Sequence, residues 1–98
     1  MASYRLTDIA SSEIEDIFVF GLMTFGFDQA AAYQLKLSHV FQLLADNPAM
    51  GRRADPLNAA MRRHEHGSHR IFYEPSTDGV LIVSVIHMSS VRRPGDPA

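Results

Sequence analysis

The sequence predicts an α+β fold in which a helix hairpin packs on one face of a small, mostly antiparallel sheet, with the element order β-α-α-β-β-β. One observation is a helical apolar period that runs from residue 8 to 46 and is interrupted once, at Gly26. Another is a series of short apolar segments from residue 61 to 87, separated by turn-forming residues. The length of 98 residues suffices for one domain and not for two. We therefore expect a single domain over residues 1–88, followed by a loose C-terminal tail over residues 89–98.

The first strand and the first helix follow from the residues at the N-terminus. Residues 3–7 alternate in polarity, which predicts a short strand. Thr7 or Asp8 can cap the helix that follows, because their side-chain oxygens accept hydrogen bonds from its first free N–H groups. Apolar side chains then recur every three or four residues to about Phe25. Gly26 is a natural end for this helix.

The second helix is predicted from Asp28, which would cap it, to about Asp46. Its apolar stripe consists of Ala30, Tyr33, Leu37, Val40, Phe41 and Leu44. The connection between the two helices is at most three residues long. The sequence therefore predicts an antiparallel helix hairpin.

The second half of the chain is predicted to form a meander of three strands. Residues 48–60 are rich in Pro, Gly, Ala and Arg, and we expect an irregular connector there. Residues 61–66 and 69–74 are strand candidates on either side of a tight turn. Residues 80–87 are almost wholly apolar and rich in β-branched side chains, which indicates a central strand covered on both faces. With the helices on one face of the sheet, the other face is expected to be open.

The composition excludes several classes of protein. Without cysteine there can be no disulfide and no thiolate metal site. No apolar run reaches the roughly 20 residues of a membrane span, and the N-terminus lacks the apolar core of a signal peptide. We therefore expect a cytoplasmic protein. Its charge is uneven: residues 1–50 carry two basic and six acidic side chains, whereas residues 51–98 carry seven arginines and five acidic side chains.

The histidines are the first candidates for chemistry. His64, His66 and His69 fall within six residues, and the first two share one strand face. Zinc would need a further ligand that the sequence does not place beside them, so we expect no metal and no cofactor. Neither Ser68-His69 nor Ser84 with His87 has a carboxylate placed to orient a nucleophilic triad. The sequence therefore predicts no catalytic residues.

The arginines are better candidates for binding. The guanidinium fork can bind two oxygens at once, which suits both phosphates and acidic protein surfaces. The alternative is a solvated sheet face whose charge is balanced by Glu65 or Glu74. The arginines on the predicted strands and tail that favour the binding interpretation are Arg62, Arg63, Arg70, Arg92 and Arg93.

A set of short motifs, in this order and spacing, resembles a known family. The motifs are Tyr4-Arg5-Leu6-Thr7, Ala10, Glu13-Ile14 through Ile17, Phe25-Gly26 with Gln29-Ala30 and Tyr33, Asn47-Pro48-Ala49-Met50-Gly51-Arg52, Met61-Arg62-Arg63, His66-Gly67-Ser68-His69-Arg70-Ile71-Phe72-Tyr73, and the strand Val80–His87. They cover most of the chain. The sequence resembles the ParE branch of the RelE/ParE toxins of bacterial toxin–antitoxin pairs.

This resemblance implies a type II toxin of the kind linked to plasmid stabilisation and growth arrest. Such a toxin would inhibit DNA gyrase as a protein inhibitor, not as an enzyme, and would be silenced by a ParD-like antitoxin. The antitoxin's C-terminal arm would run along the helix hairpin and the sheet. The apolar side chains expected to contact it are Phe18, Phe20, Leu22, Met23, Tyr33, Phe72, Ile86 and Met88. The side chains expected to contact gyrase are Arg62, Arg63, Arg70, Arg92 and Arg93.

Two alternatives stay open at the level of sequence. The RelE-like branch cleaves messenger RNA on the ribosome with basic residues on the sheet and a C-terminal Arg or Tyr. Only Arg70 matches one of those positions, and Met88-Ser89-Ser90 stand where that branch carries basic side chains. Many ParE members carry an arginine and an aspartate shortly after the last strand, where this chain has residues 89–93. The other alternative is therefore a weakened toxin that retains only antitoxin binding.

Overall fold

The computed structural model describes residues 2–55 and 57–90 of the chain. The elements are β1 (Ser3–Leu6), α1 (Asp8–Phe25), α2 (Phe27–Asp46), β2 (Arg52–Asp55), β3 (Asn58–His66), β4 (His69–Ser76) and β5 (Gly79–His87). The two helices pack on a five-stranded mixed sheet, which confirms the predicted α+β fold. The observed order has one strand more than predicted, because β2 lies in the segment expected to be irregular.

The ends of the helices depend on Thr7 and Gly26. The Thr7 hydroxyl accepts a hydrogen bond from the Ala10 N–H at 3.0 Å and donates one to the Val83 carbonyl at 2.7 Å, so it caps α1 and ties it to β5. The prediction that Asp28 caps α2 is wrong. Gly26, at φ 94°, both ends α1 and precedes α2, and no side chain caps α2. A glycine adopts this backbone conformation at little cost. Asp28 instead lies in the first turn, where the helix dipole favours negative charge.

The sheet has the strand order β1-β5-β4-β3-β2. β1 pairs with β5 in parallel at one edge, and all other pairs are antiparallel. As predicted, β5 is an interior strand, flanked by β1 and β4. A register shift pairs Phe72 with Ser84 and Tyr73 with Ile82, so Val83 is the extra residue of a bulge in β5.

The unpredicted strand β2 is held by side chains from its neighbours. The Tyr73 hydroxyl accepts a hydrogen bond from the Gly51 N–H and donates one to the Pro48 carbonyl, both at 2.8 Å. Arg62 donates to the Gly51 carbonyl at 2.6 Å. These bonds draw the connector onto β3, where Arg52 pairs with Arg63. The sequence of β2, Arg-Arg-Ala-Asp, has no β-branched or aromatic residue, so composition alone gave no strand signal.

The core lies between the helices and one face of the sheet. It is formed by Ala10, Leu37, Phe41, Leu44, Ala45, Ile71, Tyr73, Val80, Ile82 and Val85. Tyr4 of β1 packs its ring against Phe41 at 5.4 Å on this side. The described part of the chain contains no helix long and apolar enough to cross a membrane.

The opposite side of the sheet, called here the helix-free face, is not the open apolar surface that was expected. Strand alternation and register place Phe72 and Ile86 on it, yet they are only 8% and 3% exposed. Their direct cross-strand partners are Arg63 and Arg70. The register sets the apolar stems of these arginines beside Phe72 and Ile86. The helix-free face is therefore an arginine surface with a covered apolar floor.

Candidate binding groove

A groove of about 500 Å³ lies between α1, the first half of α2 and the ends of β4 and β5. We call it the hairpin groove. Asp16, Gln29 and Gln34 line it as well as a group of ring-bearing side chains, namely Phe18, Phe20, Phe25, Tyr33, His69 and His87. Ala30 and Val85 are buried at its base. Phe18, Phe20 and Phe25 all come from α1, so this helix supplies most of the aromatic wall.

Beside the groove, the turn of the helix hairpin exposes a set of large apolar side chains. Phe20 is 65% exposed and Met23 83% exposed, and the other members are Val19, Phe25 and Phe27. We call these five residues the hairpin tip. Single exposed apolar residues are ordinary, but a continuous apolar patch on a free protein marks an interaction site. Phe20 and Phe25 belong to both sets, so the hairpin groove and the hairpin tip adjoin and form one apolar surface suited to binding a protein segment.

At the polar end of the hairpin groove, Tyr33 of α2 contacts His69 of β4. The Tyr33 hydroxyl lies 2.6 Å from Nδ1 of His69 and also donates to the His66 carbonyl at 3.3 Å. The His69 ring meets the His87 ring edge-on, with 5.4 Å between centroids. Gly67 at the adjacent turn leaves room for the Tyr33 ring, because a Cβ there would lie 2.9 Å from the hydroxyl.

The surroundings of His66, His69 and Tyr33 favour the uncharged form of each group. Burial lowers the pKa of His69, and the nearby His87 and His66 rings lower it further, because a charge on either ring would repel a charge on His69. The pKa of His66 is lowered by burial, then by His64 and Lys36. Burial also raises the pKa of Tyr33, although a backbone hydrogen bond at Ser68 opposes the change. Near pH 7 the groove therefore presents the neutral imidazole of His69 and the neutral phenol of Tyr33, which favour hydrogen bonding to a partner over charge pairing.

A buried carboxylate lies beneath the other end of the groove. Glu13 of α1 is 6% exposed and accepts hydrogen bonds from Ser84 Oγ at 2.8 Å and from the Val85 N–H at 2.9 Å. It thus fastens α1 to the bulge of β5. In the sequence analysis Glu13 appears only as part of a family motif, with no structural role assigned to it. Its place within the apolar stripe, between Ala10 and Ile17, was the signal that its side chain turns inward.

The residues expected to contact the antitoxin do not all lie on one surface. Phe18, Phe20 and Tyr33 line the hairpin groove. Leu22 and Met23 are exposed on α1, and Met88 is exposed just after β5. The expectation that Phe72 and Ile86 belong to the same open surface is corrected, because both are buried on the helix-free face. Residues missed at the sequence level are Val19, Phe25 and Phe27, although the two phenylalanines flanking Gly26 were a visible signal.

The arginines expected to contact gyrase are also divided. Arg62 lies on the helix side and is engaged with the carbonyls of the connector. Arg63 and Arg70 lie on the helix-free face, where their Nε atoms are buried and have no hydrogen-bond partner. Arg92 and Arg93 lie outside the described residues. Within the described ranges, the structure therefore brings together only Arg63 and Arg70 of this set.

The histidine cluster does not form a metal-binding geometry. Across residues 2–55 and 57–90, no group of three or more His, Cys, Asp or Glu side chains is arranged to hold a metal ion. His66 and His69 instead stack against Tyr33, with ring centroids 5.7 and 5.5 Å away. That the purified protein carries no metal remains a prediction.

Comparison with solved structures gives the fold. The chain is similar to the chromosomal ParDE toxin–antitoxin system from P. aeruginosa, with a TM-score of 0.72 and 13% identity over 89% of this chain and 96% of the other. It is also similar to the toxin–antitoxin complex RelBE2 from Mycobacterium tuberculosis, with a TM-score of 0.61 and 19% identity over 88% of this chain and 96% of the other.

Comparison of sequences gives the family. The family model for the ParE toxin of the type II toxin–antitoxin system parDE matches residues 4–92. Toxin ParE1 of Caulobacter vibrioides is 35% identical over 93 residues, covering 95% of this chain and 96% of the relative. Toxin ParE1 of Mycobacterium tuberculosis is 33% identical over 85 residues, covering 86% and 87%. These findings confirm the resemblance seen in the sequence motifs. The chain belongs to the ParE toxin family of type II toxin–antitoxin systems.

Proposed function

We propose that this toxin arrests growth by binding DNA gyrase without catalysis, and that a co-encoded ParD-like antitoxin neutralises it by covering the hairpin groove and the hairpin tip. The observation that carries the proposal is this apolar surface, with Phe20 and Met23 largely exposed beside a groove of about 500 Å³. The proposed target also assigns the toxin to the cytoplasm.

The groove defines the kind of antitoxin segment that fits it. Its aromatic wall calls for apolar side chains, and its neutral Tyr33–His69 end offers hydrogen bonds. An amphipathic helix with apolar anchors at three- and four-residue steps meets both demands. Burial of the hairpin tip and groove together supports nanomolar or tighter affinity, about 12 kcal/mol or more.

Substitutions on the hairpin tip test the antitoxin part of the proposal. Phe20→Glu combined with Met23→Glu is expected to weaken antitoxin binding at least 100-fold, because two carboxylates would be buried against an apolar partner. Leu57→Glu is the matched control, since Leu57 is 92% exposed and lies outside the groove. Titration calorimetry with the neighbouring gene product measures both. Micromolar binding by the unmodified toxin, or equal losses for the two variants, would contradict this role of the groove.

Action by binding instead of catalysis is supported by the arrangement of the polar residues. Phosphodiester cleavage needs acid–base groups and a cation converging on one phosphate. In the described part of the chain, His69 and His87 lie in the groove, while Arg62 is held by the Gly51 carbonyl. Arg63 and Arg70 lie on the other face of the sheet. The sequence resemblance to the ParE branch supports gyrase as the protein that is bound.

The target is tested by adding purified toxin to a gyrase supercoiling assay and, in parallel, to a cell-free translation reaction. We expect supercoiling to fail and translation to continue. Arg92→Ala with Arg93→Ala should weaken gyrase inhibition at least tenfold and change antitoxin binding less, since antitoxin binding depends on apolar burial. If translation failed first, the RelE-type ribonuclease would replace gyrase inhibition. If neither assay responded while the antitoxin still bound, the chain would be a weakened toxin.

A further inference from the structure

Charge is divided between the two layers of the molecule. The helices carry six acidic side chains and one lysine, whereas the strands carry six arginines and three acidic side chains. A molecule with this division has an acidic helix layer and a basic sheet layer. Such a field orients the sheet toward a polyanion.

The arginines of the helix-free face are distributed across the sheet. Arg5, Arg52, Arg63 and Arg70 come from β1, β2, β3 and β4 and lie on this face by strand alternation and register. Four interstrand spacings of about 4.8 Å give a face roughly 19 Å wide. The arginines thus reach from one edge of the sheet to the other.

The arrangement of these arginines is unfavourable for the protein alone. Arg52 lies directly opposite Arg63, and like charges in such a cross-strand pair are destabilising. The nearby Glu74 carboxylate accepts a hydrogen bond from Asn58 Nδ2 instead of from an arginine. Glu65 is opposite Arg70 in the register, yet Nε of Arg70 has no hydrogen-bond partner. An anion bound to this face would reduce the repulsion between these arginines.

Protection of the sheet edges does not explain the pattern. Charged residues on edge strands prevent strands of other molecules from pairing with them, and this accounts for Arg5 on β1 and Arg52 on β2. Arg63 and Arg70 lie on β3 and β4, which are interior strands. Edge protection gives no reason for an arginine at either position.

The class of polyanion follows from what accompanies the arginines. Proteins that bind single strands stack bases on exposed aromatic rings. On the described helix-free face the aromatic side chain is Phe72, which is buried. An arginine surface without stacking rings suits the phosphates of a double helix, which it would contact without reading the bases. We infer that the helix-free face binds the phosphate backbone of duplex DNA, through Arg5, Arg52, Arg63 and Arg70.

This inference goes beyond the proposed function, because it concerns the toxin and DNA without gyrase or antitoxin. It is tested by fluorescence anisotropy of a labelled 25-base-pair duplex of arbitrary sequence, titrated with purified toxin at several salt concentrations. We expect micromolar affinity near 50 mM salt. With about four phosphate contacts, the logarithm of the binding constant should fall against the logarithm of salt concentration with a slope of roughly −3 to −4.

Two matched double variants distinguish binding by the helix-free face from a general effect of the protein's net charge. Arg5→Gln with Arg52→Gln removes two charges from exposed positions of the helix-free face. Arg53→Gln with Lys36→Gln removes the same charge from exposed positions elsewhere. The first pair should weaken binding at least tenfold and make the salt slope shallower by about 2, while the second should change affinity less than threefold. Circular dichroism and thermal unfolding verify that both variants are folded.

The same assay distinguishes duplex DNA from other polyanions. Single-stranded DNA, duplex RNA of equal length and polyglutamate are expected to bind at least fivefold more weakly than duplex DNA. Equal losses for the two variant pairs would overturn the assignment of the face. A slope near zero, or equal or tighter binding of any competitor, would overturn the assignment of the ligand. Failure of the gyrase assay would leave this result untouched.

Discussion

At position 13 a carboxylate occupies a place where the helical period calls for an apolar side chain. Glu13 replaces packing with hydrogen bonds to Ser84 and to the Val85 N–H, both at the bulge of β5. The bulge frees a backbone N–H that a regular ladder would have paired, and the glutamate satisfies it. A single polar residue thereby fixes the position of α1 on the sheet, and with it the wall of the hairpin groove.

Removing this carboxylate should therefore be costly. Glu13→Ala leaves the Val85 N–H and the Ser84 hydroxyl buried without a partner and opens a small cavity. We expect a loss of about 2–4 kcal/mol in the free energy of unfolding. Glu13→Gln, which keeps an acceptor oxygen, should lose less. Urea denaturation measures both, with Glu15→Ala as the control at an exposed position of the same helix. A loss for Glu13→Ala no larger than for Glu15→Ala would show that these hydrogen bonds do not hold α1.

At the scale of elements, β2 shows how tertiary contacts can make a strand without strand propensity. Its start is held by Tyr73, whose hydroxyl bridges Gly51 and Pro48, and by Arg62. Gly51 is required there because a Cβ would lie 2.5 Å from the Arg63 carbonyl and 2.6 Å from the Tyr73 hydroxyl. The β2 strand positions Arg52 on the helix-free face, so these contacts also build the surface inferred to bind DNA.

Loss of the Tyr73 hydroxyl should loosen this strand. In Tyr73→Phe the buried Gly51 N–H loses its acceptor, and we expect a loss of about 1–3 kcal/mol in the free energy of unfolding. Hydrogen exchange should rise most in residues 51–55. Tyr4→Phe is the control, because its ring contact with Phe41 is retained. Exchange that rose equally throughout the sheet would indicate a general loss of stability without a specific effect on β2.

The elements that could be predicted are those whose residues carry the signal themselves. The spacing of apolar residues predicts both helices, and Thr7 is a residue type that caps a helix. The apolar, β-branched residues 80–87 predict an interior strand. Asp28 failed as a cap because the chain reverses within one glycine, leaving no non-helical position for an aspartate to occupy. β2 was not predicted because the side chains that hold it, Tyr73 and Arg62, are distant from it in sequence.

The candidate site divides in the same way. Phe20 and Met23, which were expected among the antitoxin contacts, are largely exposed on α1. The exposure of a strand residue depends on its partners on neighbouring strands, which are distant in sequence. Phe72 and Ile86 were expected on the open surface, but their cross-strand partners are arginines and both are buried. The sequence showed that acidic residues precede basic ones along the chain. The fold then places most of the acidic residues on the helices and most of the arginines on the sheet, and this separation could not be predicted from the order alone.

At the scale of the whole molecule, the contact of α2 with the sheet makes stability depend on pH. His66 and His69 have pKa values lowered chiefly by burial, so in the folded protein they bind protons less readily than in the unfolded chain, where the value is near 6.5. Below about pH 6.5 the unfolded chain takes up protons that the folded protein still excludes. Stability is therefore fully present above this pH and is lost as the pH falls through the lowered folded values.

We expect the midpoint of thermal unfolding to change little from pH 7.5 to about 6.5 and to fall from there to pH 5.5, a range above the ordinary pKa of carboxylates. His69→Gln can still form a hydrogen bond with the Tyr33 hydroxyl but cannot take up a proton, so it should flatten this dependence. His39→Gln is the matched control at an exposed position of α2 and should leave this pH dependence unchanged.

Because His69 also lines the hairpin groove, antitoxin binding should stabilise the neutral form of His69. The bound complex should therefore show a weaker pH dependence than the free toxin. A stability that rose as the pH fell, or an equal response of the two variants, would contradict the role given to the contact between Tyr33 and His69.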